Sequence, residues 1–203
     1  MDIKLKRKKL KILAEISRKS WHFFAGLTLI IGYSLVLMNY SKETALLVAT
    51  FFLLLAMIFE HVRLEHKPSI FRIFNAFFRK SELNSTSGLM TFLLSGILTF
   101  AVFDFWIAFV AMMMMLMGDA FSAAIGMMFG KRKLRKKKTY VGTGAGLVAN
   151  LITGAVLMYE IPEVFIPMAI TATIVELMTN KLDDNLTVPV STAFVGHLIL
   201  YII

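Results

Sequence analysis

The stretch FWIAFVAMMMMLMGDAFSAAIGMMFGKRKLRKKK, residues 105–138, decides how this chain folds. Its first part, Phe105–Phe129, is long and apolar enough to cross a bilayer as a helix, which takes ~20 such residues. It carries a single ionisable group, Asp119. A carboxylate at that depth is costly and has to face a partner or a polar cavity rather than lipid. The basic run that follows, at 131–138, is the kind of segment that stays on the cytoplasmic side of a membrane.

The same criterion applied outward gives further spans at Trp21–Asn39, Thr44–Phe59, Leu89–Phe103, Gly142–Tyr159, Val164–Thr179 and Leu186–Ile203. Together they predict an all-α, polytopic transmembrane helix bundle of about seven spans. Only Asp104 separates the third span from the fourth, so that hairpin is tight. The second and third spans are short, and tilt or borrow flanking residues. Composition agrees: 58% of the 203 residues are hydrophobic, 17% are charged, and the mean hydropathy is +0.73. Ordinary soluble domains hold roughly 45–50% apolar and ~25% charged residues. The first apolar stretch is too long for the core of a secretory signal and has no small-residue cleavage site after it, which predicts a retained helix. There is no cysteine, so disulfides and thiolate metal sites do not enter.

Charge fixes an orientation. Of the 22 basic residues all but Lys42 fall in alternate segments: the stretch through Lys19, the segment from Arg63 to Lys80, the run at 131–138, and Lys181. By the positive-inside rule these are cytoplasmic, with the N-terminus inside and the C-terminus outside. The net charge of +9 therefore reflects topology and excludes the nucleic-acid partner such a balance would suggest in a soluble protein. Acids share the basic side. Glu15, Glu60, Glu65, Glu82, Asp119, Glu176, Asp183 and Asp184 lie at or near inner ends, whereas Glu43, Asp104, Glu160 and Glu163 lie outside. The positive-inside rule says little about acids, so the inner face uses both signs of charge.

Glu15, Arg18, Lys19 and His22 stand at i, i+3, i+4 and i+7, one stripe of a helix leading into the first span. An interfacial salt-bridged stripe and a cationic wall for phosphates both account for them. Glu60 and Arg63 repeat the i, i+3 spacing at the end of the second span. The segment beyond them, with Ile70, Phe71, Ile73, Phe74, Phe77 and Phe78 among bases, reads as an amphipathic helix on the inner leaflet. Asp119, Ala123, Gly126 and Gly130 share a helix face. Close packing accounts for the glycines but not for the carboxylate, which reads as a ligand for Mg²⁺ or nucleotide. Lys138 and Thr139 precede Gly142, Thr143 and Gly144 at a helix start, where free N–H groups and the dipole favour a phosphate. The spacing is not that of a Walker A loop. Finally, in LDDNLTVP at 182–189, Asp183, Asp184, Asn185 and Thr187 offer more hard oxygens than a helix cap requires. They suit Mg²⁺, which takes one or two carboxylates plus substrate phosphates.

EISRKSWH at 15–22, Glu-x-x-Arg at 60–63, SELNSTSG at 81–88, GDAFSAAIGMMFGK at 118–131, KTYVGT at 138–143 and LDDNLTVP at 182–189 occur in this order along nearly the whole chain. In this the chain resembles the CTP-dependent lipid-alcohol kinases, a family that includes dolichol kinase, phytol kinase and the CTP-dependent diacylglycerol kinase of fungi. The resemblance implies a single integral membrane catalytic domain over 1–203. Its cytoplasmic parts would be a basic N-terminal helix over 1–20, an amphipathic loop over 63–86 and a basic loop over 131–141. It implies transfer of the γ-phosphate of CTP, with Mg²⁺, to the hydroxyl of a membrane lipid alcohol at a site facing the cytoplasm. Asp119, Lys131, Lys138, Gly142, Asp183, Asp184 and Asn185 would surround nucleotide and metal, with the metal on Asp119, Asp183 and Asp184. Arg18, Lys19 and His22 would complete the site, and Thr139, Thr143 and Thr187 would bind the nucleotide alongside them. Lys138 would stabilise developing charge, and Asp184 or His22 would take the hydroxyl proton. One departure stands out: where the family usually carries glutamate in the KTYVGT element, this chain has Val141.

Two alternatives belong beside this reading. A CTP:phosphatidate cytidylyltransferase shares the GD…GK and KT…G elements but usually adds a polar C-terminal motif, absent from the apolar end of this chain. A non-catalytic lipid-binding or transport protein would place its ionisable groups nearer the midplane, often between repeats.

Overall fold

Apolar runs broken by short polar stretches become helices in the computed structural model, which describes residues 3–66, 86–135, 138–179 and 183–203, with side chains from Ile16 onward except that of Arg18. Seven helices are present among the described residues: α1 (Ile3–Asn39), α2 (Lys42–Glu65), α3 (Gly88–Val102), α4 (Phe105–Phe129), α5 (Tyr140–Leu157), α6 (Pro162–Met178) and α7 (Asp184–Ile202). The basic N-terminal stretch runs into the first span as one continuous helix. Ser41 starts α2 by accepting the Thr44 N–H at 3.2 Å, and Phe103 with Asp104 make the expected tight connection between α3 and α4.

Five of these helices are long and apolar enough to cross a membrane: the Lys19–Asn39 part of α1, α2, α4, α5 and α7. The 15 residues of α3 and 17 of α6 reach only roughly 22 and 26 Å at 1.5 Å per residue, short of a ~30 Å hydrocarbon core. The helical membrane bundle expected from the sequence is therefore the fold. Two local departures lie in the basic segments. The run at 131–138 contains a short antiparallel ribbon, β1 (Lys133–Arg135) with β2 (Lys138–Thr139), and α5 begins at Tyr140 rather than Gly142. The amphipathic helix read into Ile70–Phe78, the SELNS part of the motif at 81–88, and Lys181 lie outside the described residues.

The layering follows from hydrophobicity around each helix. Half of the α4 span is buried, against about a tenth for α1 and α2. An all-round apolar helix belongs at the centre of a bundle, and Ile107, Val110, Met112, Met114 and Leu116 of α4 are almost fully enclosed. Helices α1 and α2 sit peripherally, with Phe51, Phe52 and Leu55 of α2 left to lipid. The tightest seam joins α4 to α5. A Cβ on Gly142 would lie 2.7 Å from the Ser122 carbonyl oxygen, and one on Gly126 would lie 3.3 Å from Gly142 Cα. Small residues let membrane helices approach to backbone contact, which is what the Gly126 stripe does here.

Gly142→Ala should therefore destabilise the protein by about 1–3 kcal/mol through overpacking, read as a lowered midpoint of thermal unfolding in detergent. Gly144→Ala, where an added Cβ meets nothing within 4 Å, should leave the midpoint unchanged or slightly raised. Equal effects would mean that the α4–α5 seam is looser than described.

Candidate active site

Asp119 lies on α4 where the central helix nears its basic end, flanked in sequence by Gly118 and Ala120. The partner comes from α1: Lys19 Nζ makes an ion pair with both carboxylate oxygens of Asp119. The two side chains are only 12% and 13% exposed. In a poorly hydrated setting, breaking such a pair is costlier than on an open surface.

A second cluster is organised by the ribbon. By folding the basic run back on itself, it brings Lys138 beneath the end of α6, where Nζ donates to Glu176 Oε1 at 2.9 Å and also to the Glu176 carbonyl oxygen. Arg135 reaches the Met178 carbonyl oxygen at 3.4 Å. Basic side chains thus meet the last carbonyls of α6, the end of a helix that favours cations. Thr139 caps α5, its Oγ1 accepting the Gly142 N–H at 3.1 Å. The dipeptide Lys138–Thr139 therefore pins the end of one helix and the start of the next. Ser122, one turn after Asp119, donates to Glu176 Oε1 at 3.0 Å and so joins this cluster to α4.

A third cluster ties α1, α3 and α7. His22 Nε2 lies 3.3 Å from Asn185 Oδ1, and Asn185 Nδ2 donates to the Gly88 carbonyl at 3.1 Å. The His22 ring meets Phe92 edge-on. Asp183 is the N-cap of α7, its Oδ1 accepting the Asn185 N–H at 2.9 Å. Burial pushes the Asp183 carboxyl above the usual carboxylate range and the adjacent Asp184 adds to the rise, against the Asn185 N–H that favours the charged form. Thr187 Oγ1 bonds the Asp183 carbonyl at 3.2 Å and the Thr179 hydroxyl at 3.1 Å.

Asp119, Glu176 and Asp184 line one cavity of about 10 Å³ together with Asn150, room for one water-sized sphere. Asn150 is 1% exposed; its Nδ2 donates to Thr173 at 3.1 Å, while its Oδ1 has no hydrogen-bond partner among the described residues. Oxygen donors of this kind suit a hard cation. Yet no three acidic or imidazole groups among the described residues converge closely enough to hold a metal by themselves, and amines occupy Asp119 and Glu176. The donor set fits a Mg²⁺ that arrives on its phosphates and takes one or two carboxylates, rather than a resident ion.

Of the residues singled out from sequence, Lys19, His22, Asp119, Lys138, Thr139, Gly142, Asp184, Asn185 and Thr187 thus meet at or beside this region. Thr143 Oγ1 is buried without a partner among the described residues. Lys131 is exposed past the end of α4, Val141 is exposed in the first turn of α5, and the Arg18 side chain lies outside the described residues. Sequence reading named Glu176 but gave it no role, and it missed Ser122 and Asn150. A lone amide within the apolar stretch GLVANLITG was the available signal for Asn150.

With this geometry in place, similarity to known proteins becomes informative. The sequence profile of the cytidylyltransferase family matches residues 3–198. The chain belongs to this family. Relatives include a probable chloroplastic phytol kinase of Triticum aestivum, 30% identical over 124 residues that cover 51% of this chain and 41% of that protein. Probable chloroplastic phytol kinases of Glycine max and Zea mays are each 28% identical over the same share of this chain, covering 42% and 41% of their own lengths. The chain thus spans about two fifths of the length of the curated relatives it matches. No solved structure matches it. The likeness to CTP-dependent lipid-alcohol kinases read from the motifs is borne out by this cytidylyltransferase-family membership together with the kinase relatives.

The Lys138–Glu176 pair should be coupled. Lys138→Met and Glu176→Gln should each lower stability, and the double variant should lose less than the sum by about 0.5–3 kcal/mol, measured by thermal unfolding in detergent. Strict additivity would mean that the ribbon does not dock on α6.

Proposed function

We propose that this protein is a CTP-dependent kinase that phosphorylates the hydroxyl of a membrane lipid alcohol, with an isoprenoid alcohol favoured over diacylglycerol. The single observation that carries the proposal is the convergence of Asp119, Glu176 and Asp184, with Lys19 and Lys138 bound to the first two, around one cavity at the basic ends of the helices. The names of the relatives favour the isoprenoid. Seven spans, a cytoplasmic N-terminus and a cytoplasmic site belong to the same proposal, supported by the placement of every basic residue but Lys42 on one side.

Phosphoryl transfer needs positioning and charge neutralisation more than covalent chemistry from the protein. In this reading Lys19 and Lys138 leave their carboxylates when the triphosphate arrives and bind its oxygens, and the Thr139–Gly142 turn at the start of α5 presents N–H groups to it. Mg²⁺, held by Asp119 and Asp184, would supply charge neutralisation on the phosphates. The lipid oxygen attacks the γ-phosphorus, the bond from that phosphorus to the bridging oxygen of CDP breaks, and the hydroxyl proton passes to Asp184 or His22. Asp183, engaged as a helix cap, orients the Asp184–Asn185 segment.

A second reading has its own support in the family description: a cytidylyltransferase joining CMP to a lipid phosphate and releasing pyrophosphate. Purified protein in lipid vesicles with Mg²⁺, phytol and CTP labelled at the γ-phosphate separates the two. The kinase reading predicts labelled lipid phosphate and CDP, reduced about 100-fold or more in kcat/KM by Asp119→Asn. Pyrophosphate release dependent on added phosphatidate, with no labelled lipid, establishes the second reading instead.

A further inference from the structure

A groove of about 450 Å³ runs between α1 and α4. Its walls are aromatic, with Phe23, Phe24 and Phe121 among them, and its floor on α4 is kept low by Ala120 and Ala124, one turn apart. Phe24 and Phe121 are 63% and 49% exposed, so the groove opens sideways to the surroundings of the bundle, which for these helices is lipid. Among the described residues Lys19 is its only ionisable lining residue, and Lys19 is paired with Asp119. The wall of the groove is thus already part of the charged site.

The geometry points to this groove as the port through which a neutral lipid alcohol presents its hydroxyl to the Lys19–Asp119 pair, an inference that rests on the kinase reading and adds the route and head-group chemistry of its substrate. A hydroxyl both donates and accepts, and before the nucleotide arrives the pair offers a carboxylate to accept its hydrogen bond and an ammonium to donate to its oxygen; at transfer the proton still passes to Asp184 or His22. A lipid already bearing phosphate would bring like charge against Asp119, which disfavours it as an entrant and assists departure of the phosphorylated product. The other large apolar cavity, about 350 Å³ between α1, α2, α3 and α4, has no acidic or basic lining residue among the described residues, and buried Phe92 lines it and meets the His22 ring. That cavity suits bulk lipid.

Size sets what the port reads. From Met117 to Met127 the groove extends roughly 15 Å along α4, half of a ~30 Å hydrocarbon core. It therefore encloses the hydroxyl-proximal part of a chain and leaves the remainder in the bilayer. Selectivity falls on branching near the hydroxyl, not on total length.

Ala124→Phe, which fills the groove, tests the port against Val156→Phe on the exposed face of α5. Ala124→Phe should lower kcat/KM for phytol and for geraniol alike by at least tenfold while the KM for CTP stays unchanged, and Val156→Phe should alter neither. A second readout does not need turnover. An isoprenoid alcohol carrying a diazirine near its hydroxyl should label peptides of α1 and α4 in vesicles, competed by phytol but not by the corresponding hydrocarbon, and Ala124→Phe should abolish the labelling. Wild-type turnover in Ala124→Phe, or labelling of the groove that the hydrocarbon competes equally, overturns the port. Competed labelling without any lipid phosphate formed by the wild type keeps the port and overturns the kinase reading. Absence of both labelling and turnover overturns both.

Discussion

An apolar helix at the centre of a membrane bundle tolerates a carboxylate only when a cation is brought to it. Asp119 on α4 imposes that requirement, and Lys19 on α1 meets it. The consequence is architectural, because α1 is otherwise peripheral and largely exposed to lipid. The ion pair fixes the level at which α1 crosses α4, and hence where His22 stands relative to Asn185 and where the groove between the two helices meets the charged site. The same requirement repeats at Glu176, where the cation is Lys138. Two carboxylates and two amines thereby pair near one cavity, and in the proposed function a polyanionic nucleotide competes for the amines.

The ribbon of β1 and β2 makes the second half of this arrangement possible. Without it the basic run would be a solvated loop serving topology alone. With it, Lys138 and Arg135 reach the last carbonyls of α6 while Thr139 caps α5. The close seam between α4 and α5 then carries Ser122 to within hydrogen-bond distance of Glu176. Backbone proximity at Gly142 and Gly126 sets α5 against α4, where Asn150 and Asp119 line one small cavity with Glu176 and Asp184.

Much of this was legible in the sequence because membrane helices announce themselves by length and hydropathy. The Lys19–Asn39 part of α1, α4 and α7 follow the apolar runs to within a few residues, and the Asp104 hairpin stands where expected. Within the candidate site, Asp119 stood out because a charge in an apolar run has few structural explanations, and Asn185 because a cap needs fewer oxygens than LDDNLTVP supplies. The ribbon was not readable: five bases in and around so short a strand pair lack the alternation that marks a sheet. Nor were the roles of Ser122 and Asn150, which depend on which helix faces which. The Asp183 cap shows the reverse case, in which the plain structural explanation of a polar residue accounts for its observed contacts.

The proposed kinase would bind a water-soluble nucleotide at the basic face of the bundle, where a lipid hydroxyl would meet it from the inner leaflet. Sidedness tests it most directly. The protein should be assayed in sealed inside-out and right-side-out membrane vesicles with CTP and Mg²⁺ supplied only to the external medium. A cytoplasmic site gives CTP-dependent lipid phosphate in the inside-out vesicles and none in the right-side-out vesicles until they are permeabilised. Product formed only by sealed right-side-out vesicles would contradict it.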